Sequence, residues 1–249
     1  MKIKVINPNT TETMTQKIRA AAFEAAASGT EIIAVSPEAG PVSIEGHYDE
    51  AISALGVLDE VRRGEAAGCD GYIIACFGDP GLLAAREIAR GPVIGIAEAA
   101  MHVASLIATG FSIVTTLPRT RVLSEHLVSA YGMTSKCRSV RPTALAVLDL
   151  EQKGSNARRI IVEECRRAIA EDHADCLLLG CAGMADLVAE ITEAVGVPVV
   201  DGVAAAVKLL ECLIGLGLAT SKAGGYAFPL AKPYRGTMAV FAPVRPQSR

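Results

Sequence analysis

Seven residues of this chain recur: Asp70-Gly-Tyr-Ile-Ile-Ala-Cys76 is answered 105 positions later by Asp175-Cys-Leu-Leu-Leu-Gly-Cys181. In each copy an aspartate leads an apolar run into a cysteine, and a glycine follows within two residues, Gly78 in one and Gly183 in the other. A second pair follows at a spacing of 106, Gly91-Pro-Val-Ile-Gly-Ile-Ala-Glu-Ala-Ala and Val197-Pro-Val-Val-Asp-Gly-Val-Ala-Ala-Ala. A weaker third pair, Lys2-Ile-Lys-Val-Ile-Asn-Pro-Asn-Thr and Phe111-Ser-Ile-Val-Thr-Thr-Leu-Pro-Arg-Thr, runs from strand-like residues into a proline-containing turn. Correspondences in one order argue for a duplicated fold, with two like halves placing two thiols in matching positions.

Short β-branched runs alternate with alanine-rich stretches of helical period, the pattern of parallel sheets flanked by helices. The fold class is therefore α/β, with two pseudo-symmetric Rossmann-like lobes and a site between them. Strands are predicted at Ile3–Ile6, Glu31–Val35, Gly71–Ala75, Val93–Gly95, Phe111–Thr115, Ser139–Pro142, Cys176–Gly180 and Val199–Val200. Helices at Gly81–Ala89 and Met184–Ala194 put each cysteine in a strand-to-helix turn, where ligand crevices of open α/β sheets form. The first lobe is expected from residues 1–97 plus 202–249 and the second from 98–201. In that division the helix Val203–Leu218 returns to the first lobe, the helix near Glu98 packs on the second, and the proline-rich end lies over the surface or a neighbouring subunit.

A net charge of −3 and a pI near 5.9 provide no basic field for nucleic acid. The start, Met1-Lys-Ile-Lys-Val-Ile-Asn, reads as a strand and lacks a leader's apolar core, and no apolar run reaches membrane-spanning length. Seven cysteines without framework spacing fit a reducing compartment, so a cytoplasmic protein is expected.

A thiolate is a base as well as a nucleophile, and a helix N-terminus lowers a thiol pKa from about 8.5 toward neutrality. Two thiols approaching one ligand from opposite sides meet the requirement for racemisation. One removes a proton from a carbon acid, and the other returns a proton to the far face. Backbone N–H groups around Phe77-Gly78 and Ala182-Gly183 are candidates to stabilise the intermediate enolate, and glycine there allows main chain to approach a ligand. The other five cysteines read as core or surface residues, and neither Cys76 nor Cys181 has a metal-ligating neighbour at zinc-site spacing. No lysine context suggests a Schiff base and no glycine fingerprint for nucleotides follows a strand, so no cofactor is expected.

Around the cysteines several segments carry two readings. Asn7-Pro8-Asn9-Thr10-Thr11 either binds a polar ligand, Asn9 foremost, or forms a turn and cap. Ser43 and Ile44 lie in a loop that either contacts the ligand or merely connects. Thr115 and Thr116 stand at equal odds between binding and structure, Glu98 and His102 read as a structural pair on one helix face, and Asp79 and Asp201 read as turn and cap residues.

Taken together, Val5-Ile-Asn-Pro-Asn-Thr-Thr, Pro41-Val-Ser-Ile-Glu-Gly-His, Ala75-Cys-Phe-Gly-Asp-Pro-Gly-Leu, Ile94-Gly-Ile-Ala-Glu-Ala-Ala-Met-His, Ile113-Val-Thr-Thr, Gly180-Cys-Ala-Gly-Met and Val200-Asp-Gly-Val resemble the aspartate/glutamate/hydantoin racemase superfamily, and within it the hydantoin and allantoin racemases. The resemblance spans nearly the whole chain. It implies a cofactor-independent isomerase acting at C5 of a 5-substituted hydantoin, allantoin before amino-acid hydantoins, with Cys76 and Cys181 as the two bases. Asn9, Ser43, Ile44, Phe77, Gly78, Thr115, Thr116, Ala182 and Gly183 are the expected substrate contacts, and a homo-oligomer is the expected assembly. Amino-acid racemases of the wider group tend to carry Asn-Thr or Thr after the cysteines. Phe77-Gly78 and Ala182-Gly183 depart from that and favour a neutral ring. Alternatives are a decarboxylase or isomerase of the same superfamily, or a non-catalytic small-molecule binding protein.

Overall fold

A computed structural model of the chain describes residues 1–151 and 156–243. Among them two four-stranded parallel sheets form with the same strand order. In the first, β1 (Lys2–Ile6) lies between β2 (Glu31–Val35) and β3 (Gly71–Ile74), and β4 (Val93–Gly95) flanks β3. The second repeats this with β5 (Phe111–Thr115) between β6 (Cys137–Pro142) and β7 (Cys176–Leu179), and β8 (Val199–Val200) outside β7. The duplication legible in the sequence is thus a duplication of topology. Its repeated aspartates bind backbone: Asp70 accepts from the Lys2 N–H at 2.7 Å, and Asp175 accepts from the Thr109 and Gly110 N–H groups at 2.9 and 2.8 Å. Each ties the third strand of its sheet to the start of the first. The bonds hold the Asp175 carboxyl at about 2, below its ordinary range.

Helices complete each unit: α1 (Glu12–Ala25), α2 (His47–Ala66), α3 (Leu82–Ile88), α4 (Ile96–Ile107), α5 (Thr120–Ala130), α6 (Ala157–Asp172), α7 (Val188–Val195) and α8 (Gly202–Gly215). Strand side chains alternate between faces. On β1, Ile3 and Val5 join a core shared with Phe111, Ile113, Cys176 and Leu178 of the other sheet, filled by Ile18 of α1, Ala100 and Ala104 of α4 and Val203 and Leu210 of α8. Ile6, Tyr72 and Ile74 face the other way, onto Val57 and Val61 of α2 and Leu82 and Ala85 of α3. Val114, Leu177 and Leu179 likewise face Ile161 and Cys165 of α6 and Ile191 of α7. The central core therefore belongs to both sheets, which holds their carboxyl ends in a common orientation. In it α8 packs on β3 and α4 on β7. Leu210 seats against Gly71, where an added Cβ would stand 3.0 Å from its side chain.

Two elements differ from expectation. The helix predicted at Met184–Ala194 is a 3-10 helix, Ala182–Leu187, followed by α7, and the helix predicted to reach Leu218 stops at Gly215, after which Gly217 turns with φ 70°. Beyond it the chain crosses the outer side of the first sheet, where the Lys222 ammonium donates to the Arg86 carbonyl and lies 4.7 Å over the Phe228 ring. Phe228 and Pro229 are half-buried and Leu230 to Tyr234 exposed, while the proline-rich end at 244–249 lies outside the described residues. No helix among the described residues is long and apolar enough to cross a membrane.

Candidate active site

Both repeated cysteines follow the third strand of their sheets, and the chain turns alike after each. The Asp79 N–H donates to the Cys76 carbonyl and the Met184 N–H to the Cys181 carbonyl, each at 3.0 Å. Cys76 and Cys181 then face one cavity of about 50 Å³, room for a small molecule only. Asn9, Ile44, Phe77, Gly78, Thr115, Thr116 and Ala182 share its wall. The cavity forms where the sheets' carboxyl ends meet, closed by the loop after β2 and by Val147, whose N–H donates to Glu45 at 3.0 Å.

Ser43 and Gly183 stand outside that wall, and Met184 is fully buried among the side chains outside the second sheet. Ser43 precedes the residue that points in, and Gly183 lies within the 3-10 helix behind Cys181. Nothing requires glycine at 183, because an added Cβ would meet only ordinary contacts at 3.5 Å. At Gly78 a Cβ would lie 2.2 Å from the Glu50 carboxylate oxygen, the movable tip of that side chain, so an added methyl would displace the carboxylate. Close passage of a carboxylate, alongside any ligand, therefore explains this glycine.

Asn9 shapes its turn and also lines the cavity. Its Oδ1 accepts from the Thr11 N–H and the Asn7 amide, each at 2.9 Å, which shapes the turn, and the residue still lines the cavity. Thr115 and Thr116 do so as well, their carbonyls accepting from the Thr143 and Ala144 N–H groups at 2.9 Å.

The thiol electrostatics correct one expectation. No helix begins at Cys76, since a turn of five residues separates it from α3, a helix of seven residues. Burial pushes the Cys76 thiol well above its ordinary range, with the Gly78 N–H pulling the other way and Cys181, Glu50 and Asp79 each disfavouring a second negative charge. Desolvation wins because one N–H donor does not offset burial beside groups that carry negative charge. Only Cys181 directly precedes a helical turn.

Asp79 and Asp201 are caps, by different routes. Asp201 accepts from the Val203 and Ala204 N–H groups at the start of α8. Its repeat counterpart at α4 is Gly95, and there Asp79 reaches in to accept from the Ala97 and Glu98 N–H groups at 3.1 and 2.9 Å. A Cβ on Gly95 would lie 2.1 Å from the Asp79 carboxyl carbon, so the glycine makes room for a cap borrowed from the Cys76 turn. Asp79 takes φ 45° to do this and accepts a third bond, at 2.7 Å, from the Tyr131 hydroxyl just past α5. Burial raises its carboxyl to about 7 against these three donors. Tyr131→Phe is expected to lose about 1–3 kcal/mol of stability in denaturant melts, and no further loss when combined with Asp79→Asn.

Glu98 and His102 do not pair through their side chains. Glu98 bonds Arg86 at 2.5 Å, while the His102 ring sits 2.7 Å from the Glu98 backbone carbonyl. Sequence reasoning passed over Glu50, Thr120, Leu123, Ser124 and Val147 as wall residues, and the motif Glu45-Gly46-His47 lay only a turn from Glu50. Among the described residues no three His, Cys, Asp or Glu side chains converge as a metal set.

The profile of the Asp/Glu/Hydantoin racemase family matches residues 3–210. A hydantoin racemase of Pseudomonas sp. (strain NS671) is 48% identical over 241 residues, covering 97% of each chain. Allantoin racemase from Klebsiella pneumoniae superposes with a TM-score of 0.96 at 55% identity, covering 98% of this chain and 100% of that one. Allantoin racemase from Pseudomonas fluorescens superposes at 0.91 with 41% identity, covering 95% and 100%.

Proposed function

The chain belongs to the Asp/Glu/hydantoin racemase family, and from that premise we propose that it racemises 5-substituted hydantoins, allantoin first among them, by proton transfer between Cys76 and Cys181. One observation carries this reading: two thiols, each following the third strand of one of two like sheets, line the same small cavity. One sulfur, as thiolate, takes the C5 proton. The electron pair left on carbon delocalises into the C4 carbonyl, and the opposite thiol delivers its own proton to the other face. The ring is then inverted and the two sulfurs have exchanged protonation states.

The site's electrostatics suit a pair holding one proton. Charge on Cys181 opposes ionisation of Cys76, so the pair resists carrying two thiolates at once, and the working state is one thiolate beside one thiol. Thr116, Ser124 and Asn9 line the cavity with donors suited to ring carbonyls, the Thr115 and Thr120 hydroxyls bond each other at 3.0 Å and Thr120 donates on to the Leu117 carbonyl, and Phe77, Ile44 and Leu123 supply apolar wall for a flat ring. The greater identity to a solved allantoin racemase, 55% against 48% for the hydantoin racemase, supports allantoin as the first substrate to test. The reading extends to purine catabolism in the cytoplasm and to a homo-oligomer, for which Leu106, Ile107, Leu216 and Leu218 leave apolar surface exposed.

Incubating single enantiomers of allantoin, 5-benzylhydantoin and 5-isopropylhydantoin in D₂O tests the proposal. Optical rotation should decay as deuterium enters C5, fastest for allantoin. Optical rotation that persists for all three compounds overturns the reading, and a faster benzyl or isopropyl compound moves the substrate to amino-acid hydantoins.

A further inference from the structure

Glu50 stands in the first turn of α2, a helix of 20 residues, and its side chain is 19% exposed. Among the described residues lining the catalytic cavity it is the single Asp, Glu, Lys, Arg or His; the rest are apolar, hydroxyl, amide or thiol groups and glycines. Its position is held from several sides. The backbone N–H donates to the Gly46 carbonyl at 3.0 Å, the backbone carbonyl accepts the Ser53 hydroxyl at 3.0 Å, and the carboxylate lies against Gly78 with His47 Nδ1 at 3.6 Å. Glu50 and Gly78 also line a neighbouring groove of about 780 Å³, so they form the threshold between groove and cavity.

A half-buried carboxylate on such a wall is an acceptor with no proton to give. It complements ligands that present N–H groups and repels those that present carboxylates, and a mismatched or unpaired buried partner costs far more than a matched one adds. Burial raises the Glu50 pKa while His47, by charge and hydrogen bond, opposes it, as for a carboxylate partly withdrawn from water.

We propose that Glu50 is the residue that selects the substrate class: its carboxylate accepts an N–H of the ring or of the 5-substituent and excludes anionic substituents from the cavity. This rests on the hydantoin reading and adds to it a specificity determinant on a different element from either cysteine. The glycine at 78 is part of the same device, because any side chain there would displace the carboxylate.

The test compares hydantoin-5-acetamide with hydantoin-5-acetate, near-isosteres that differ in charge, by C5 deuterium exchange with the full chain and its Glu50→Gln and Gly78→Ala variants. The wild type should favour the amide in kcat/KM by about tenfold or more. Glu50→Gln should bring the ratio close to one, chiefly through KM. Gly78→Ala meets only the movable tip of Glu50 and should narrow the ratio in the same direction, and it decides the matter if the glutamine variant fails to fold. An unmoved ratio, with exchange intact, overturns the role of Glu50 alone. A wild type that exchanges allantoin and neither of these compounds overturns this inference alone, and one that exchanges no hydantoin overturns the hydantoin reading with it.

Discussion

Cys76→Ser and Cys181→Ser, made separately, should each lose racemisation by about 10²–10⁴-fold, the usual contribution of a positioned proton-transfer group. Each variant should still exchange the C5 hydrogen of one enantiomer, and not the same one. The remaining thiolate removes a proton from the face it meets and, with no proton on the opposite side, returns a solvent-derived one to that same face. Deuterium then enters without inversion. Proton NMR with chiral separation reads both quantities, and the double variant should lose exchange from both enantiomers. Full racemisation by either single variant would sink the two-base scheme. The raised Cys76 pKa adds a direction: its thiolate grows as pH rises, so kcat/KM for the enantiomer that Cys76 deprotonates should increase from neutral into alkaline pH.

Lys4→Met should be the most destabilising of the substitutions considered, by about 3–5 kcal/mol, as for a buried ion pair deprived of one partner. Lys4 faces outward from β1 with its ammonium 2.6 Å from the Glu60 carboxylate, both side chains nearly sealed from water at 7% and 6% exposure. It also donates to the Glu60 backbone carbonyl at 2.8 Å. Removing it leaves Glu60 buried with the Arg63 guanidinium, 3.7 Å away, as its cationic neighbour. Glu60 belongs to α2, the helix that carries Glu50 to the cavity, so the pair pins that helix to the sheet. Lys4→Met combined with Glu60→Leu should recover most of the loss, because a matched apolar pair leaves no unpaired charge. Urea midpoints of the single and double variants measure both effects. A single variant as stable as the wild type would show that the pair does not anchor α2.

The likeness of the lobes was open to reading because parallel strands buried on both faces are written as continuous apolar runs, and because Asp70 and Asp175, each six residues before its cysteine, accept from backbone N–H groups at the start of the first strand of their sheets. Cys76 and Cys181 were singled out for the same reason. The chain states equivalent positions even where the neighbouring residues differ. Gly78 and Gly183 look equivalent too, yet only at Gly78 would an added Cβ displace a neighbour, and that neighbour, the Glu50 carboxylate, is 28 residues away in the chain. Asp79 and Gly95 form a cap that replaces the one Asp201 makes locally, a substitution between segments that repeat comparison misses.

Local pattern by itself determined the α/β class, the order of the strands along the chain and the two turns that bear thiols, since strand burial and turn chemistry act over a few neighbouring residues. The tertiary structure decided what those turns face: which distant carboxylate closes the cavity, which glycines must remain glycine, and that burial outweighs a single N–H donor at the Cys76 sulfur. Desolvation and charge depend on every group within a few ångströms, wherever it lies in the chain, and that proximity exists only once the two sheets share their core.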